Sequence, residues 1–335
     1  MKKAADKTPL HNTPKGLNMA PHYFIIRWSG MGDIVMSLPA LAFLKEKQPD
    51  CRITYLTDVP FLAIPLMSGL VDHVAPLDRR GFAKPGRISG ALGGAVSIIS
   101  QLRKDKPDIA FDLQGFGETA VLAWLSGAPI RVGRIKKSGP RKWIYTQNID
   151  ADWGTDHRSA FFVKAAAQGL GLPAPIHFDG PRLEIPGLEQ KKGLVCLNMG
   201  ASTESRRWSE KNFIALGKSL SQKGYAIRLL IGPQETHILD AAKGAAGEFG
   251  WELAMPESME DLAKACGEAS LMVSNDTGPG HLAAALGVSV ITLYSTGDPD
   301  NVGPQAPRTA WFRDREDINR IAPGGVELAC LNFLE

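Results

Sequence analysis

The sequence predicts an α/β protein made of two domains, each built around a parallel sheet. From about Pro21 onward, short apolar runs alternate with longer segments of helical periodicity, which is typical of βαβ units. A proline-rich segment, 171–193, interrupts this alternation. The chain of 335 residues is also long enough for about two domains of ordinary size.

In the first half, three apolar runs have the length expected of buried strands. They span 23–27, 52–57 and 108–112. A helix is predicted over 34–46, because valine, leucine and alanine recur there at helical spacing and form one apolar face.

The segment 171–193 contains four prolines and ends in charged residues, so it cannot form one regular element and is interpreted as a linker. The strands predicted after it span 194–199, 226–231, 271–275 and 289–294. The predicted division is a disordered tail at 1–20, a first domain at 21–170, a linker at 171–192, a second domain at 193–312 and a helical segment at 313–335.

Composition excludes several classes of protein. The net charge of +3 is too small for general nucleic-acid binding. The N-terminus lacks the apolar region of a secretory signal, and the longest uncharged stretches, 88–102 and 282–297, are too short to cross a membrane. The cysteines do not have the spacing of a zinc site or a disulfide framework, which favours a reducing cytosol; they are Cys51, Cys196, Cys266 and Cys330.

The stretch IRWSGMGDIVMSLPAL, 26–41, partly matches a dinucleotide-binding turn. Gly30 and Gly32 supply the first two glycines of G-x-G-x-x-G, but Val35 occupies the third position. Asp58 follows the second strand, where a ribose-binding acid would lie, so an NAD-dependent oxidoreductase remains an alternative. Asp33 argues against it, because its charge would repel a pyrophosphate at the start of the helix.

Asp33 itself has two interpretations. A carboxylate is stable at a helix N-terminus, where unpaired N–H groups and the helix dipole favour negative charge, so Asp33 could be a structural first-turn acid. Alternatively, it accepts a proton from a substrate hydroxyl at the mouth of a cleft. The residues around Asp33 do not decide between these roles.

The stretch SNDTGPGHLAAALG, 274–287, predicts an anion site in the second domain. It follows a strand and enters a helix through a glycine–proline turn, and backbone N–H groups at such a helix start bind phosphate. Thr277 can add a hydroxyl and His281 a ring N–H, while Asp276 can orient either. A capped helix with a histidine in its first turn is the structural alternative.

A second anion-binding cluster is predicted within 200–213, because Ser202 offers a hydroxyl and Arg206 and Arg207 offer guanidinium groups suited to phosphate oxygens. Both clusters follow strands, and open α/β sheets bind ligands at that edge. Glu235, in a third loop there, is within plausible reach of a ribose hydroxyl.

Two Asp-x-Asp pairs are candidate metal ligands, since such pairs hold divalent ions in many sugar transferases. They are Asp150 with Asp152, and Asp298 with Asp300. Neither has a convincing context for a metal site. Cations and a helix N-terminus can stabilise a leaving group without an ion, so we expect no metal.

From Tyr23 to about Gly303, the sequence resembles the ADP-heptose:lipopolysaccharide heptosyltransferases of glycosyltransferase family nine. The matching pieces are IIRWSGMGDIVMSLPAL, FDLQGFGETAVLAWLSGAPIRVG, GASTESRRWSE, IGPQE and NDTGPGHLAAALGVSVITLYSTGDP. The resemblance implies a GT-B architecture of two Rossmann-like domains facing a central cleft. It also implies inverting, metal-independent transfer of a heptose or related sugar from an ADP-sugar to a lipopolysaccharide core or similar glycolipid.

The resemblance also implies roles for individual residues. Asp33 would be the catalytic base. The donor-binding residues would be Ser202, Arg206, Arg207, Glu235, Asp276, Thr277, Gly278 and His281. The acceptor-side residues would be Ser29, Met31, Gly32 and Gln114. The implied co-substrate is a nucleotide sugar, and no resident cofactor is expected.

One departure concerns the donor. Arg206 stands where family members often carry lysine, and the two side chains are not interchangeable at a phosphate or sugar contact.

A non-catalytic nucleotide-sugar-binding protein is a further alternative. The loop 134–143 carries five cations beside a tryptophan and is either a solvated connection or a contact for an anionic glycolipid, which would place a cytoplasmic protein at the inner face of the inner membrane.

Overall fold

The computed structural model describes residues 20–78, 99–100, 103–134, 143–149 and 151–335. Apart from Ala20, the predicted N-terminal tail lies outside these residues. Most of the apolar stretch 88–102 and the interior of the basic loop, 135–142, also lie outside them.

Within the described residues, the N-terminal half forms a six-stranded parallel sheet with the order β3-β2-β1-β4-β5-β6. Its strands are β1 (His22–Ile26), β2 (Arg52–Asp58), β3 (His73–Leu77), β4 (Ile109–Asp112), β5 (Ile130–Gly133) and β6 (Gln147–Asn148). Its helices are α1 (Met31–Lys47), α2 (Ala63–Met67), α3 (Gly117–Leu125) and α4 (Arg158–Gly169).

The described C-terminal half repeats this arrangement, with the parallel order β12-β11-β10-β7-β8-β9. Its strands are β7 (Lys191–Asn198), β8 (Ala226–Leu230), β9 (Glu252–Ala254), β10 (Ala269–Asn275), β11 (Ser289–Tyr294) and β12 (Thr309–Arg313). Its helices are α5 (Glu210–Gln222), α6 (Thr236–Phe249), α7 (Met259–Gly267), α8 (Gly278–Ala285), α9 (Pro299–Val302) and α10 (Pro323–Leu334).

These two sheets confirm the predicted α/β class, and every strand predicted from the sequence is present within three residues at each end. In both sheets the strand order reverses beside the first strand of the half, between β1 and β4 and between β7 and β10. Ligands of open α/β sheets bind in the crevice outside the carboxyl ends of the strands at this reversal. The loops after β1 and β10, which carry the predicted base and anion site, therefore lie at such positions.

The predicted helix begins earlier than expected, at Met31 rather than Ile34. Gly30 has a φ of +81°, a conformation that glycine adopts without strain, and its carbonyl accepts the first helical hydrogen bond from Ile34 at 2.9 Å. The chain therefore turns directly from β1 into α1. As a result, Asp33 lies in the first turn of the helix.

The two halves share one buried core. Helix α1 packs on α4 of its own half and on α8 of the other, and a single apolar cluster includes buried side chains from all three helices. Residues 170–190, between α4 and β7, form no helix or strand. Strand β7 begins at Lys191 and β12 ends at Arg313, so both extend slightly past the predicted domain limits of 193 and 312.

Candidate active site

A cleft of about 1200 Å³ lies between the carboxyl edges of the two sheets. The N-terminal half lines it with the start of α1 and the segment 59–63, and the C-terminal half with the loops after β7, β8, β9, β10 and β11 and the start of α7. The predicted site residues that line it are Met31, Gly32, Asp33, Ser202, Arg206, Glu235, Asp276, Thr277, Gly278 and His281. Residues more than 240 positions apart in the chain thus meet in one cavity.

Asp33 is the carboxylate that the first turn of α1 presents to this cleft. Its side chain is 30% exposed, and its Oδ2 is paired with the guanidinium of Arg27. Its Oδ1 lies 3.8 Å from Nε of Arg158, which is beyond hydrogen-bond distance. One oxygen of Asp33 is therefore held in place, while the other keeps lone pairs that can accept a proton.

Arg27 and Arg158 lie behind Asp33 and are almost fully buried. Arg27 donates to the carbonyl of Leu113 at 2.9 Å, and the guanidinium of Arg158 stacks 3.2 Å from the ring centroid of Trp153. Burial lowers the pKa of Arg158 to about 10, and its arginine neighbours act in the same direction while Asp33 opposes them. Arg158 therefore stays cationic at neutral pH.

Neither arginine was predicted from the sequence to belong to the site. Arg27 follows directly after β1, so a charged residue at the carboxyl end of a buried strand was a usable signal. Arg158 is 125 positions from Asp33, and no local pattern connects the two.

The loop after β10 presents the N-terminus of α8 to the cleft. Asn198, at the end of β7, donates to the hydroxyls of Ser274 and Thr277, both at 2.9 Å. Asn275 accepts from the backbone N–H of Trp208 at 3.0 Å and donates to the carbonyl of Gly200 at 3.0 Å. These two asparagines, also missed by the sequence analysis, fix the anion loop to the loop after β7. The polar residues at the ends of adjacent strands were the available signal.

Asp276 and Arg206 face each other across these two loops, with Oδ2 and Nη1 separated by 3.8 Å. Burial raises the pKa of Asp276, while Arg206 acts in the opposite direction and the neighbouring Asp33 adds to the increase. The guanidinium of Arg206 remains 42% exposed, so it is accessible from the cleft.

His281 is buried at the point where the two halves touch. A Cβ on Gly32 would lie only 2.6 Å from its Cδ2, and one on Gly278 would lie 2.6 Å from Met31. Burial, assisted by the nearby His157, lowers the pKa of His281 to about 4. At neutral pH His281 can therefore act as a neutral N–H donor but not as a cation.

Glu235 lies against the backbone of two glycines. Its carboxylate accepts from the N–H of Gly232, and a Cβ on Gly200 would overlap it. These glycines allow the carboxylate to lie directly on the loops that line the cleft.

Three of the predicted site residues are not among those lining the cleft, namely Ser29, Gln114 and Arg207. The amide oxygen of Gln114 accepts from the backbone N–H groups of Trp28 and Ser29, each at 3.2 Å. Arg207 donates to the carbonyl of Ala201 at 3.4 Å. Their observed contacts hold the loops in shape.

The residues considered for other chemistries have local partners. Asp58 accepts from the N–H of Val59 and caps a short 3₁₀ helix. Asp298 accepts from the N–H of Asp300 and pairs with Arg313 at 3.6 Å. Asp152 accepts from Gly154 at 2.8 Å, whereas Asp150 lies outside the described residues. In the described part of the chain, no group of three or more His, Cys, Asp or Glu side chains is arranged to hold a metal.

All four cysteines are buried and unpaired. Among the described helices, none combines the length and the apolar character needed to cross a bilayer.

Comparison with known proteins identifies the family. A family model for glycosyltransferase family 9 (heptosyltransferase) matches residues 95–320. Lipopolysaccharide heptosyltransferase 1 of Escherichia coli K12 is 25% identical over 292 residues, covering 83% of this chain and 89% of that protein. The Campylobacter coli protein of the same name is 25% identical over 342 residues, covering 93% and 92%.

Solved structures share the fold. The E. coli heptosyltransferase WaaC with ADP has a TM-score of 0.81 at 21% identity and covers 93% of this chain and 99% of its own. A glycosyl transferase family 9 structure from Veillonella parvula has a TM-score of 0.80 at 21% identity, with coverages of 94% and 97%. The two facing α/β halves are thus the predicted GT-B fold, and the family match over most of the sequence shows that this chain belongs to glycosyltransferase family 9, the heptosyltransferases.

Proposed function

We propose that this glycosyltransferase moves a heptose from ADP-heptose to the core of lipopolysaccharide or a similar anionic glycolipid, with inversion at the anomeric carbon. Its curated relatives include lipopolysaccharide heptosyltransferases 1, 2 and 3. Structures that share its fold contain ADP or ADP-2-deoxy-2-fluoro heptose.

The observation that carries the proposal is the position of Asp33 across the cleft from the N-terminus of α8. In the proposed reaction, Oδ1 of Asp33 removes the proton of an acceptor hydroxyl as that oxygen attacks the anomeric carbon. The bond from this carbon to the diphosphate breaks on the opposite face, and ADP leaves with the electron pair. A base on one half and an anion site on the other suit this in-line geometry.

The departing diphosphate would be bound by the C-terminal half. We propose that Arg206 and the backbone N–H groups at Thr277 and Gly278 stabilise its negative charge, because a guanidinium and a helix N-terminus both bind phosphate oxygens. His281 would add a neutral N–H, and Asp276 would orient Arg206. Ser202 and Glu235 would contact the nucleotide, with Glu235 on the ribose, and Arg207 would support the loop.

The acceptor would be bound by the N-terminal half. We propose that Met31 and Gly32 form the wall of the acceptor site beside Asp33. Gln114 would act by holding the backbone of the loop at Ser29, as its hydrogen bonds suggest. The division into an acceptor domain at 21–170 and a donor domain at 193–312 follows from these roles.

The partners in this proposal are a nucleotide sugar and an acceptor anchored in lipid. A lipid-linked acceptor would bring the enzyme to the cytoplasmic face of the inner membrane as a peripheral protein. The sequence of the basic loop 134–143 supports this contact through its five cations. Only the ends of this loop, Arg134 and Trp143, belong to the described residues.

Asp33→Asn tests the assignment of the base. The amide keeps the shape of the side chain but cannot accept the proton, so we expect kcat to fall by about 10² to 10⁴. ADP binding, measured by calorimetry, should be nearly unchanged. Asp298→Asn is the matched control, because Asp298 also lines the cleft but lies on the C-terminal half. Full turnover by Asp33→Asn would reject the mechanism.

A chelator tests the proposal that no metal is required. Because Arg206 and the N-terminus of α8 can stabilise the diphosphate, we expect initial rates to be largely unchanged in excess EDTA. A loss of activity that returns with magnesium or manganese would contradict this. Asp298→Ala and Asp300→Ala would then be the variants to examine.

A further inference from the structure

The outer face of α3 carries an exposed apolar surface, here called the α3 surface, made of Phe116, Val121, Trp124 and Trp143. The two indoles are 48% and 64% exposed, and the other two side chains are each 44% exposed. The rings of Trp124 and Trp143 are in edge-to-face contact, with centroids 6.2 Å apart. The two indoles thus form one patch, Val121 lies one helical turn before Trp124, and Phe116 precedes the helix; exposed apolar patches of this kind often mark an interaction site.

The composition of α3 explains why this surface is unusual. From Thr119 to Leu125 the helix contains no charged residue. Its inner face is already packed through Ala120 and Ala123, which are fully buried. A helix on a protein surface is normally apolar on its inner face and polar on the other, so the apolar outer face of α3 is available for a partner.

The α3 surface is also connected to the proposed acceptor site. The ring of Phe116 lies 6.4 Å from that of Trp28, which belongs to the loop between β1 and the helix that carries Asp33. The surface therefore adjoins, through Phe116, the loop that leads into the helix carrying Asp33.

Cationic side chains border one end of this apolar surface. Arg103 and Lys104 are exposed, and Nε of Arg103 donates to the carbonyl of Leu125 at 3.0 Å, which places its guanidinium at the end of α3. Exposed tryptophans bordered by lysine and arginine are the combination that binds the interface of an anionic bilayer.

We propose that the α3 surface docks on an anionic lipid membrane, with the indoles of Trp124 and Trp143 at the level of the headgroups and the cations Arg103 and Lys104 against lipid phosphates. This inference depends on the proposed function in one respect, namely that the acceptor is anchored in lipid. Docking in this way holds the N-terminal half at the bilayer. A second copy of the chain fits less well, since pairing two such surfaces would bring like charges together.

Vesicle binding by the full chain tests this proposal. Co-sedimentation would use vesicles of phosphatidylglycerol with phosphatidylethanolamine, and vesicles of phosphatidylcholine alone. We expect the full chain to bind the anionic vesicles and to lose this binding at high salt. The double variant Trp124→Ser with Trp143→Ser should bind at least about tenfold more weakly, because it removes the two indoles from the interface.

Trp311→Ser is the matched control, since Trp311 is equally exposed, at 48%, but lies on β12 of the other half; it should bind vesicles like the unchanged chain. Arg103→Glu with Lys104→Glu should weaken binding to anionic vesicles only. Equal binding by the indole variant and the control would overturn the proposal. So would a concentration-dependent dimer, measured by light scattering, that the indole substitutions abolish.

Activity separates this inference from the proposed function. With a water-soluble fragment of the acceptor, the indole variant should keep the turnover of the unchanged chain, whereas with acceptor embedded in vesicles its rate should fall with its binding. Absence of turnover with every acceptor would reject the proposed function and leave the vesicle result valid. Normal turnover on embedded acceptor by a variant that no longer binds vesicles would reject the role of the α3 surface.

Discussion

At the scale of single residues, the site combines a fixed carboxylate with a neutral histidine. Arg27 holds one oxygen of Asp33, so the orientation of the carboxylate does not depend on substrate. His281, where the two halves touch, is buried without charge. In the proposed reaction, the negative charge of the leaving diphosphate is therefore stabilised by Arg206 and the N-terminus of α8. His281 orients the diphosphate through a hydrogen bond.

The low pKa of His281 makes stability depend on pH. In the folded protein its pKa is about 4, whereas in the unfolded chain a histidine has a pKa near 6.5. Between these values the unfolded state binds more protons, so the free energy of unfolding falls as the pH is lowered. The stability associated with the neutral His281 is fully present above about pH 6.5 and is lost as the pH falls toward 4. The total loss in the free energy of unfolding is roughly 3 kcal/mol.

Urea unfolding of His281→Gln between pH 7 and pH 4 measures this contribution. We expect the free energy of unfolding of the variant to fall less steeply with decreasing pH than that of the unchanged chain. His22 and His157 also have lowered pKa values because they are buried, so some slope will remain. His177→Gln, at an exposed position, is the control. An unchanged slope in His281→Gln would contradict the assignment.

At the scale of elements, the site depends on the close approach of the starts of α1 and α8. Two glycines permit this approach, since a side chain on either Gly32 or Gly278 would collide with the opposite half. Neither glycine has a positive φ, so the requirement is for space and not for backbone conformation.

Gly32→Ala tests the importance of this contact. The new methyl group would lie 2.6 Å from Cδ2 of His281, so we expect the free energy of unfolding to fall by about 1 to 3 kcal/mol and ADP binding to weaken. Gly244→Ala is the control, because Gly244 lies inside α6 with no atom within 4 Å of the added group. This control should gain up to about 1 kcal/mol through helix propensity. Equal stability of the two variants would show that the halves can separate at no cost.

At the scale of the whole molecule, Arg158 connects the proposed base to the C-terminal half. Its Nη2 donates to the side chain of Asn301 in α9 at 3.2 Å. Asn301 in turn donates to the carbonyl of Asp156 at 2.7 Å. The adjacent His157 donates from Nε2 to the carbonyl of Gly303 at 2.9 Å. The environment of Asp33 is therefore coupled to the docking of α9.

Arg158→Lys and Asn301→Ala test this coupling. Lysine keeps the charge but loses the planar stacking on Trp153 and the fork that reaches Asn301, so we expect kcat to fall by about 10- to 100-fold through misplacement of the base. The KM for the donor should change little. The double variant should lose less than the sum of the single losses, because both act through one contact.

Arg131→Lys is the matched control for Arg158→Lys. Arg131 is partly buried and donates to the carbonyls of Ile144 and Ala128, but it makes no ion pair with Asp33. Its replacement should affect stability more than kcat. Strict additivity of the Arg158 and Asn301 effects would contradict a shared role.

The sequence by itself determined the class of the fold and all of the central strands except β5, which is four residues long and only half buried. Strands such as β1 and β10 are buried on both faces and therefore appear as continuous apolar runs. Strands β3, β6, β9 and β12 lie at the sheet edges, are partly exposed and were not predicted, because half-exposed residues leave no such run. Asp33 and the segment from Asp276 to His281 were identified because their turn and helix-start signals are local.

Only the tertiary structure decided which distant residues meet. The contact of Gly32 with His281, the position of Arg158 behind Asp33 and the backbone contacts of Gln114 each join parts of the chain that no short-range pattern relates. The same is true of the α3 surface, because an apolar helix in the sequence does not reveal which of its faces the sheet covers. Helical and strand periodicities record burial along one element, whereas the partner of each buried face depends on how all the elements pack together.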